Sequence, residues 1–112
     1  MEGKKLNRLK KRLLRAMMEY DITLEELKEK QSRGSIIIDV RNKRAYNEGH
    51  IEGSINIPEY EINRLFTKII PYKDMPIVVY CSSGYRSVTA YRKLKKLGYT
   101  EVYNLYGGLE NY

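Results

Sequence analysis

Short apolar runs alternate with helix-like stretches along this chain of 112 residues. Runs at 35–40 and 76–80 have the composition of strands buried on both faces of a parallel sheet, and shorter strands are predicted at 53–58 and 101–105. Between them, apolar residues recur at three- and four-residue steps, the spacing of one helix face. We therefore expect an α/β domain, with a central parallel sheet of about five strands and helices on both faces.

Two of the helix-like stretches show which side chains should face the core. Their apolar stripes are Ile62, Leu65, Phe66 and Ile69 in one, and Val88, Tyr91, Leu94 and Leu97 in the other. Basic residues fill the outer face of the second stretch, which is typical of a solvated surface, and Gly98 is its expected stop.

A helix start is marked just before the first strand. Thr23 can cap the helix while Glu26, three residues on, reaches back to it, and Ile22 can pack on Leu27 as a hydrophobic staple. The domain proper is therefore predicted to span residues 20–112.

Residues 1–19 differ from the rest of the chain in charge. They contain seven Lys and Arg against two Glu, a net +5, while the whole chain has a formal net charge of +7. Leucines and methionines recur among the basic residues at helical spacing, which predicts a basic amphipathic helix. Its leucine face could dock on the domain or on a second copy of the chain. Alternatively, the helix could bind an acidic partner protein, anionic lipid or nucleic acid; the charge does not indicate nucleic-acid binding by the domain itself.

Other features of the sequence exclude several classes of protein. One cysteine rules out an intramolecular disulfide framework and a multi-cysteine metal site, so no metal is predicted. A free thiol fits a reducing compartment, and we expect a cytoplasmic protein. No apolar stretch reaches the length of a membrane span, and no signal-peptide pattern is present, so a soluble chain is expected.

The single cysteine, Cys81, follows the run at 76–80 and precedes a helix expected to begin near Ser87. Ligands of open parallel sheets sit at the carboxyl ends of strands, where this thiol would lie. Backbone N–H groups of a glycine-containing turn and of a helix start would converge on an anion there, and an arginine adds a positive charge. Cys81 is therefore predicted to be a catalytic nucleophile. The predicted substrate-binding residues are Ser82, Ser83, Gly84, Tyr85, Arg86 and Ser87.

At these positions the chain resembles the rhodanese (sulfurtransferase) family. The resemblance rests on IIIDVR at 36–41, EGHIEGSINIP at 48–58, the loop CSSGYR at 81–86 and NLYGGL at 104–109. These segments follow one another in the order and at the spacing of the family.

The resemblance implies a rhodanese-like fold and sulfur transfer through a persulfide on Cys81, with no metal or organic cofactor. Because the chain has no second cysteine, the acceptor would be external: a small thiol, cyanide or the cysteine of a partner protein. The resemblance also implies structural roles around residues 39–50, with Arg41 paired to Glu48 and His50 tying down a turn.

Three other functions would also use residues of this loop or of residues 39–50. A Cys81, His50 and Asp39 nucleophile system is not favoured, because a thiolate stabilised by loop amides needs no general base. Phosphatase or arsenate reductase activity of the related cell-cycle phosphatase type would call for five residues between the loop cysteine and arginine, whereas this chain has four. A non-catalytic binding or regulatory module is the third alternative, and the retained Cys81 argues against it.

The loop departs from family members specialised for thiosulfate. Those members carry basic residues at positions occupied here by Ser82, Ser83 and Tyr85, so only Arg86 remains to meet a dianion. A persulfide is therefore the expected donor. Tyr85 is expected to point outward, either to help select a donor or acceptor or merely as an exposed loop aromatic.

Overall fold

Five parallel strands form the centre of the molecule in the computed structural model, which describes residues 17–112. The strands are β1 (Asp21–Ile22), β2 (Ile36–Asp39), β3 (Ile55–Asn56), β4 (Ile77–Tyr80) and β5 (Val102–Leu105). They are ordered β1-β5-β4-β2-β3, and every pair is parallel. The predicted parallel sheet is confirmed. The helix predicted at 1–19 lies outside the described residues, except for its last three positions.

Among residues 17–112, four α-helices and two short 3₁₀ turns accompany the strands. The helices are α1 (Leu24–Ser32), α2 (Lys43–Glu48), α3 (Ile62–Ile69) and α4 (Tyr85–Lys96), and the 3₁₀ turns are Glu59–Glu61 and Leu109–Asn111. Two elements were missed. Strand β1 has only two residues, too few to show a period, and α2 has no buried residue, so it leaves no apolar stripe in the sequence.

Alternate side chains of the central strands pack in two separate hydrophobic cores, one on each face of the sheet. In β4, Ile77 and Val79 belong to the core under α3 and α4, while Val78 and Tyr80 belong to the core under α1. This alternation follows from the strand geometry, in which successive side chains point to opposite faces. The sheet is therefore covered on both faces, as predicted.

The start of α1 has the predicted arrangement. The Thr23 hydroxyl accepts a hydrogen bond from the Glu26 N–H at 3.2 Å, and the Glu26 carboxylate accepts one from the Thr23 N–H at 3.0 Å. Ile22 and Leu27 lie in the same buried cluster. This cap orients α1 against the sheet.

Helix α3 differs from the prediction at its end. Ile69 is 47% exposed, whereas Ile70 is buried in the core. The helix ends at Ile69, and the extended backbone of Ile70 turns that side chain inward instead.

The core-facing side of α4 is also rotated from the prediction. Its buried residues are Ser87, Ala90 and Leu94, while the predicted Val88, Tyr91 and Leu97 are only partly buried. Two small residues in this set let the helix lie close to the sheet. The predicted solvated face also has one exception, because Lys93 is half-buried and forms an ion pair with Glu59 at 3.1 Å.

Buried polar groups join strands β2 and β4 at their carboxyl ends. Asp39 and Tyr80 are register partners, and the Tyr80 hydroxyl donates to the Asp39 carboxylate at 2.7 Å. That hydroxyl also accepts from the Ile51 N–H at 3.0 Å and lies 3.1 Å from Ser54 Oγ. Burial raises the pKa of Tyr80 to about 12.

Arg41 completes this network, and the predicted ion pair with Glu48 is wrong. Arg41 pairs with Asp39 at 2.7 Å, and the hydrogen bond to that carboxylate raises the pKa of Arg41. Glu48 instead pairs with Arg44 one helical turn away. Arg41 pairs with Asp39 rather than with Glu48 because the buried Asp39 requires a cation, whereas Glu48 is solvated.

His50 has the structural role that was expected. Its Nδ1 lies 2.8 Å from the Tyr46 carbonyl oxygen, and its ring stacks on that of Tyr46 with the centroids 3.7 Å apart. The turn after α2 is held by these contacts.

Tyr80→Phe should lower the free energy of unfolding by about 1–3 kcal/mol at neutral pH, because buried partners of the lost hydroxyl are left unpaired. A free tyrosine ionises near pH 10.0 and folded Tyr80 near pH 12. The contribution of the neutral phenol is thus present below pH 10.0 and is lost as the pH rises to about 12.

Urea unfolding of both proteins across this alkaline range checks the prediction, and their difference in unfolding free energy should shrink. The exposed Tyr60 supplies a control, since Tyr60→Phe should remain close to wild type. A difference between wild type and Tyr80→Phe that stays constant with pH would contradict the assignment.

Candidate functional site

Cys81 lies directly after β4, at the carboxyl edge of the sheet. Strand β4 lies between β5 and β2, so Cys81 is near the centre of this edge and not beside an outer strand. The cysteine is only 2% exposed. The thiol is therefore held at the base of the site, where solvent reaches little of it.

Backbone N–H groups of the loop are directed at the Cys81 sulfur. The Gly84 N–H donates to Sγ at 3.1 Å and the Ser87 N–H at 3.4 Å. The Ser87 hydroxyl lies 3.4 Å from Sγ, where it accepts from the thiol and can rotate to donate to a thiolate. These donors would stabilise negative charge on this sulfur.

The start of α4 explains why these groups converge. Gly84 has a φ of 88°, a left-handed conformation that glycine adopts without strain, and it caps α4. The first N–H groups of a helix have no partner within the helix. Because α4 begins at Tyr85, earlier than predicted, the Ser87 N–H is one of these groups and is directed at the sulfur.

The C-terminal segment forms backbone hydrogen bonds to the start of the loop. The Leu109 N–H donates to the Cys81 carbonyl at 2.9 Å, and the Glu110 N–H donates to the Ser82 carbonyl at 2.8 Å. A Cβ atom on Gly108 would lie 2.7 Å from the Cys81 carbonyl oxygen and closer still to that of Ser82. The absence of a side chain at Gly108 allows this close contact with the loop.

A cavity of about 510 Å³ opens above the sulfur. It is lined by Arg41, Asn42, Ala45, Cys81, Ser82, Ser83, Tyr85 and Arg86. Tyr85 is 83% exposed and points outward, as expected. Five of the seven predicted site residues line the cavity, while Gly84 and Ser87 contact the sulfur through hydrogen bonds.

Sequence reasoning missed the three lining residues from another part of the chain, Arg41, Asn42 and Ala45. They follow β2, the neighbour of β4 in the sheet. The carboxyl ends of parallel neighbours meet at one edge, and this rule could have found them. Arg41 was instead given only a structural role.

Asp39 and His50 do not form a nucleophile system with Cys81. The Asp39 carboxylate is bound by Arg41 and Tyr80, and the His50 ring is bound to Tyr46. Neither residue lines the cavity. Among residues 17–112, no group of three or more His, Cys, Asp or Glu is arranged to hold a metal ion. None of the helices in this range is long and apolar enough to span a bilayer.

A family comparison covers most of the chain. The sequence profile of the rhodanese-like domain matches residues 23–112. The chain belongs to the rhodanese-like family.

Relatives of this rhodanese-like chain include two thiosulfate sulfurtransferases. PspE of Escherichia coli (strain K12) is 39% identical over 74 residues, which cover 66% of this chain and 70% of PspE. GlpE of Ectopseudomonas mendocina is 32% identical over 89 residues, which cover 80% of each. The solved structure of a rhodanese-related protein from Thermoplasma volcanium matches with a TM-score of 0.71 and 31% identity, covering 81% of this chain and 87% of that one. The predicted fold and the rhodanese-type enzyme family are confirmed.

Gly108→Ala should destabilise the domain and disturb the loop. Gly108 has a φ of 68°, so alanine there is strained, and its methyl group would also press on the Cys81 and Ser82 carbonyls. Gly34→Ala is a matched control, because Gly34 has a φ of 101° but nothing within 4 Å of an added Cβ. The control should cost about 1–2 kcal/mol, the usual penalty for a left-handed alanine, and Gly108→Ala more.

The measurements are urea unfolding and the rate at which iodoacetamide alkylates Cys81. Only Gly108→Ala should change the alkylation rate, because only that substitution moves the loop. Equal effects of the two substitutions on both measurements would argue against contact between the C-terminal segment and the loop.

Proposed function

We propose that this chain is a sulfurtransferase that transfers a sulfane sulfur through a persulfide on Cys81. The observation that supports this most directly is the set of donors around one sulfur: two backbone N–H groups and the Ser87 hydroxyl. Hydrogen bonds to an ionised sulfur favour the nucleophilic thiolate form. The same donors can then hold the anionic outer sulfur of a persulfide.

In the first half-reaction, the Cys81 thiolate attacks the outer sulfur of thiosulfate or of a persulfide donor. The S–S bond of the donor breaks, and sulfite or a thiolate leaves with the electron pair. A new S–S bond joins the transferred sulfur to Cys81. No external oxidant or reductant is needed, because the leaving group accepts the electrons of the broken bond.

In the second half-reaction, a nucleophilic acceptor attacks the outer sulfur of the persulfide. Cyanide would leave as thiocyanate, and a small thiol or a protein cysteine would leave as a persulfide. The Cys81 thiolate is regenerated as the leaving group. Neither half-reaction calls for a metal or an organic cofactor.

Each predicted site residue has a place in this scheme. Gly84 and Ser87 hold the reactive sulfur. The residues that would contact the donor and acceptor at the entrance are Ser82, Ser83, Tyr85 and Arg86. Arg86 is exposed at the cavity, where its charge would attract anionic substrates. We place the activity in the cytoplasm, because a reducing compartment keeps the single thiol free.

Residues 1–19 would serve recruitment rather than chemistry in this proposal. Their basic helical pattern suits an acidic partner or self-association. Comparing the full chain with a chain that lacks this segment, in both solution mass and transfer rate, separates an assembly role from a catalytic one.

Incubation with thiosulfate or with a persulfide donor should add the mass of one sulfur atom to the intact protein. Cys81→Ser should gain nothing, because it lacks the nucleophile. Ser87→Ala removes only one hydroxyl donor and should load roughly fivefold more slowly, in line with the loss of one hydrogen bond of about 1 kcal/mol. Intact mass spectrometry over time follows sulfur loading of the wild-type protein and of both variants. Reduced wild-type protein that never gains sulfur would contradict the proposal.

Persulfides should be better donors than thiosulfate. Arg86 is the one cation in the loop 81–87, and serines and Tyr85 occupy the loop positions that are basic in family members specialised for thiosulfate. We therefore expect a higher kcat/KM with a small-molecule persulfide than with thiosulfate. Steady-state rates with a common acceptor give the comparison, and a kcat/KM for thiosulfate above that of every persulfide tested would reverse the conclusion.

A further inference from the structure

The Arg41 guanidinium is held in one orientation at the wall of the cavity. Its Nε donates to both Asp39 carboxylate oxygens at 3.1 Å, and its Nη2 donates to Asp39 at 2.7 Å and to the Gly49 carbonyl at 2.6 Å. The side chain is only 12% exposed. Because both Nε and Nη2 are bound, the planar guanidinium cannot rotate freely.

These contacts leave one part of the guanidinium uncommitted. Nη1 has no hydrogen-bond partner among residues 17–112, although a guanidinium has five N–H donors and two of them are on this nitrogen. Arg41 also lines the cavity above Cys81. Its unused donors are therefore available to a group bound in that cavity.

The support for Arg41 comes from the core rather than from the surface. Asp39 is fully buried, and it accepts hydrogen bonds from the Tyr80 hydroxyl and the Arg41 backbone N–H as well as from the guanidinium. Tyr80 is the last residue of β4 and immediately precedes Cys81. The reactive sulfur and the guanidinium are thus positioned by the same pair of neighbouring strands.

The cavity between them favours an anion. It is lined by two arginines, and none of its lining residues, all of which belong to the described part of the chain, is acidic. Arg86 has no ion-pair partner within residues 17–112. At about 510 Å³ the cavity also lies in the size range of small-molecule sites, roughly 300–1,000 Å³, which exceeds what a single transferred sulfur needs.

We propose that Arg41, acting with Arg86, forms an anion subsite that binds the carboxylate of a small sulfur carrier while the carrier's sulfur reaches Cys81. The substrates of this class are small anionic thiols and their persulfides. Arg41 is then a specificity-determining residue as well as a structural one. This inference rests on the proposed sulfur transfer for its substrate, but the subsite itself is testable without turnover.

Alkylation of Cys81 by two reagents of nearly equal size measures the subsite directly. Iodoacetate has a carboxylate where iodoacetamide has a neutral amide, and both react with the same thiolate. The ratio of their rate constants therefore reports attraction of an anion into the cavity and is independent of how much thiolate is present. We expect this ratio to be about fivefold or more above that of free cysteine, because charge-assisted hydrogen bonds from the guanidinium would favour the carboxylate over the neutral amide.

Two variants test whether Arg41 is responsible. Arg41→Lys keeps a cation beside the buried Asp39 and so preserves folding, but it removes the Nη1 donors. The double variant Asp39→Asn with Arg41→Gln removes the charge while leaving no unpaired buried ion. Arg44→Gln is the matched control, because Arg44 lies on the same short segment, is 90% exposed and does not line the cavity.

Both Arg41 variants should lower the iodoacetate-to-iodoacetamide ratio at least threefold, and the Arg44→Gln ratio should equal that of wild type. Circular dichroism and thermal melting establish that each variant is folded. A wild-type ratio no higher than that of free cysteine overturns the proposal without any variant. A high ratio that survives loss of the guanidinium also overturns it, because the attraction would then come from Arg86 and the loop alone.

A second comparison links the subsite to its substrate. Sulfur loading from the persulfide of 3-mercaptopropionate should have a lower KM than loading from the persulfide of 2-mercaptoethanol, and Arg41→Lys should raise the former KM while leaving kcat similar. Equal KM values for the two donors in wild type would refute the substrate assignment. If no donor loads Cys81 but the alkylation ratio is high, the sulfur-transfer proposal fails and the anion subsite stands.

Discussion

The convergence of N–H groups on one sulfur atom is the interaction on which the candidate site depends. Gly84 and Ser87 donate to Cys81 Sγ because α4 begins within the loop and leaves its first N–H groups unpaired. These donors are fixed before any substrate arrives, so no reorganisation is needed when negative charge forms there. The chemistry is therefore built from backbone geometry more than from side-chain identity.

The remainder of the fold serves to hold that geometry. Strand β4 delivers Cys81 to the middle of the sheet edge, and the segment after β5 binds the loop carbonyls from below. The absence of a side chain at Gly108 permits this contact, because a Cβ atom would collide with the loop. Loop position is thus set by two strands that are separated along the sequence but adjacent in the sheet.

The buried polar network adds a second constraint at the same edge. Asp39 requires a cation because it is buried, and Arg41 supplies it while its remaining donors stay available at the cavity wall. Tyr80 ties this pair to the strand that carries Cys81. One residue can therefore have both a structural contact and an open donor, and this open donor is the basis for proposing a second role for Arg41.

The pattern of residues along the chain predicts the class of fold and the position of the candidate cysteine. Alternating apolar runs and the capping box at Thr23 are local signals that survive in a single chain, and the motifs at 36–41, 48–58, 81–86 and 104–109 indicated the family. The folded molecule was needed to establish which ion pair Arg41 forms, that Ile70 rather than Ile69 is buried, and that Gly108 packs against the loop. Those outcomes depend on contacts between residues distant in sequence, and on burial that changes which partner a charge requires, so no local pattern records them.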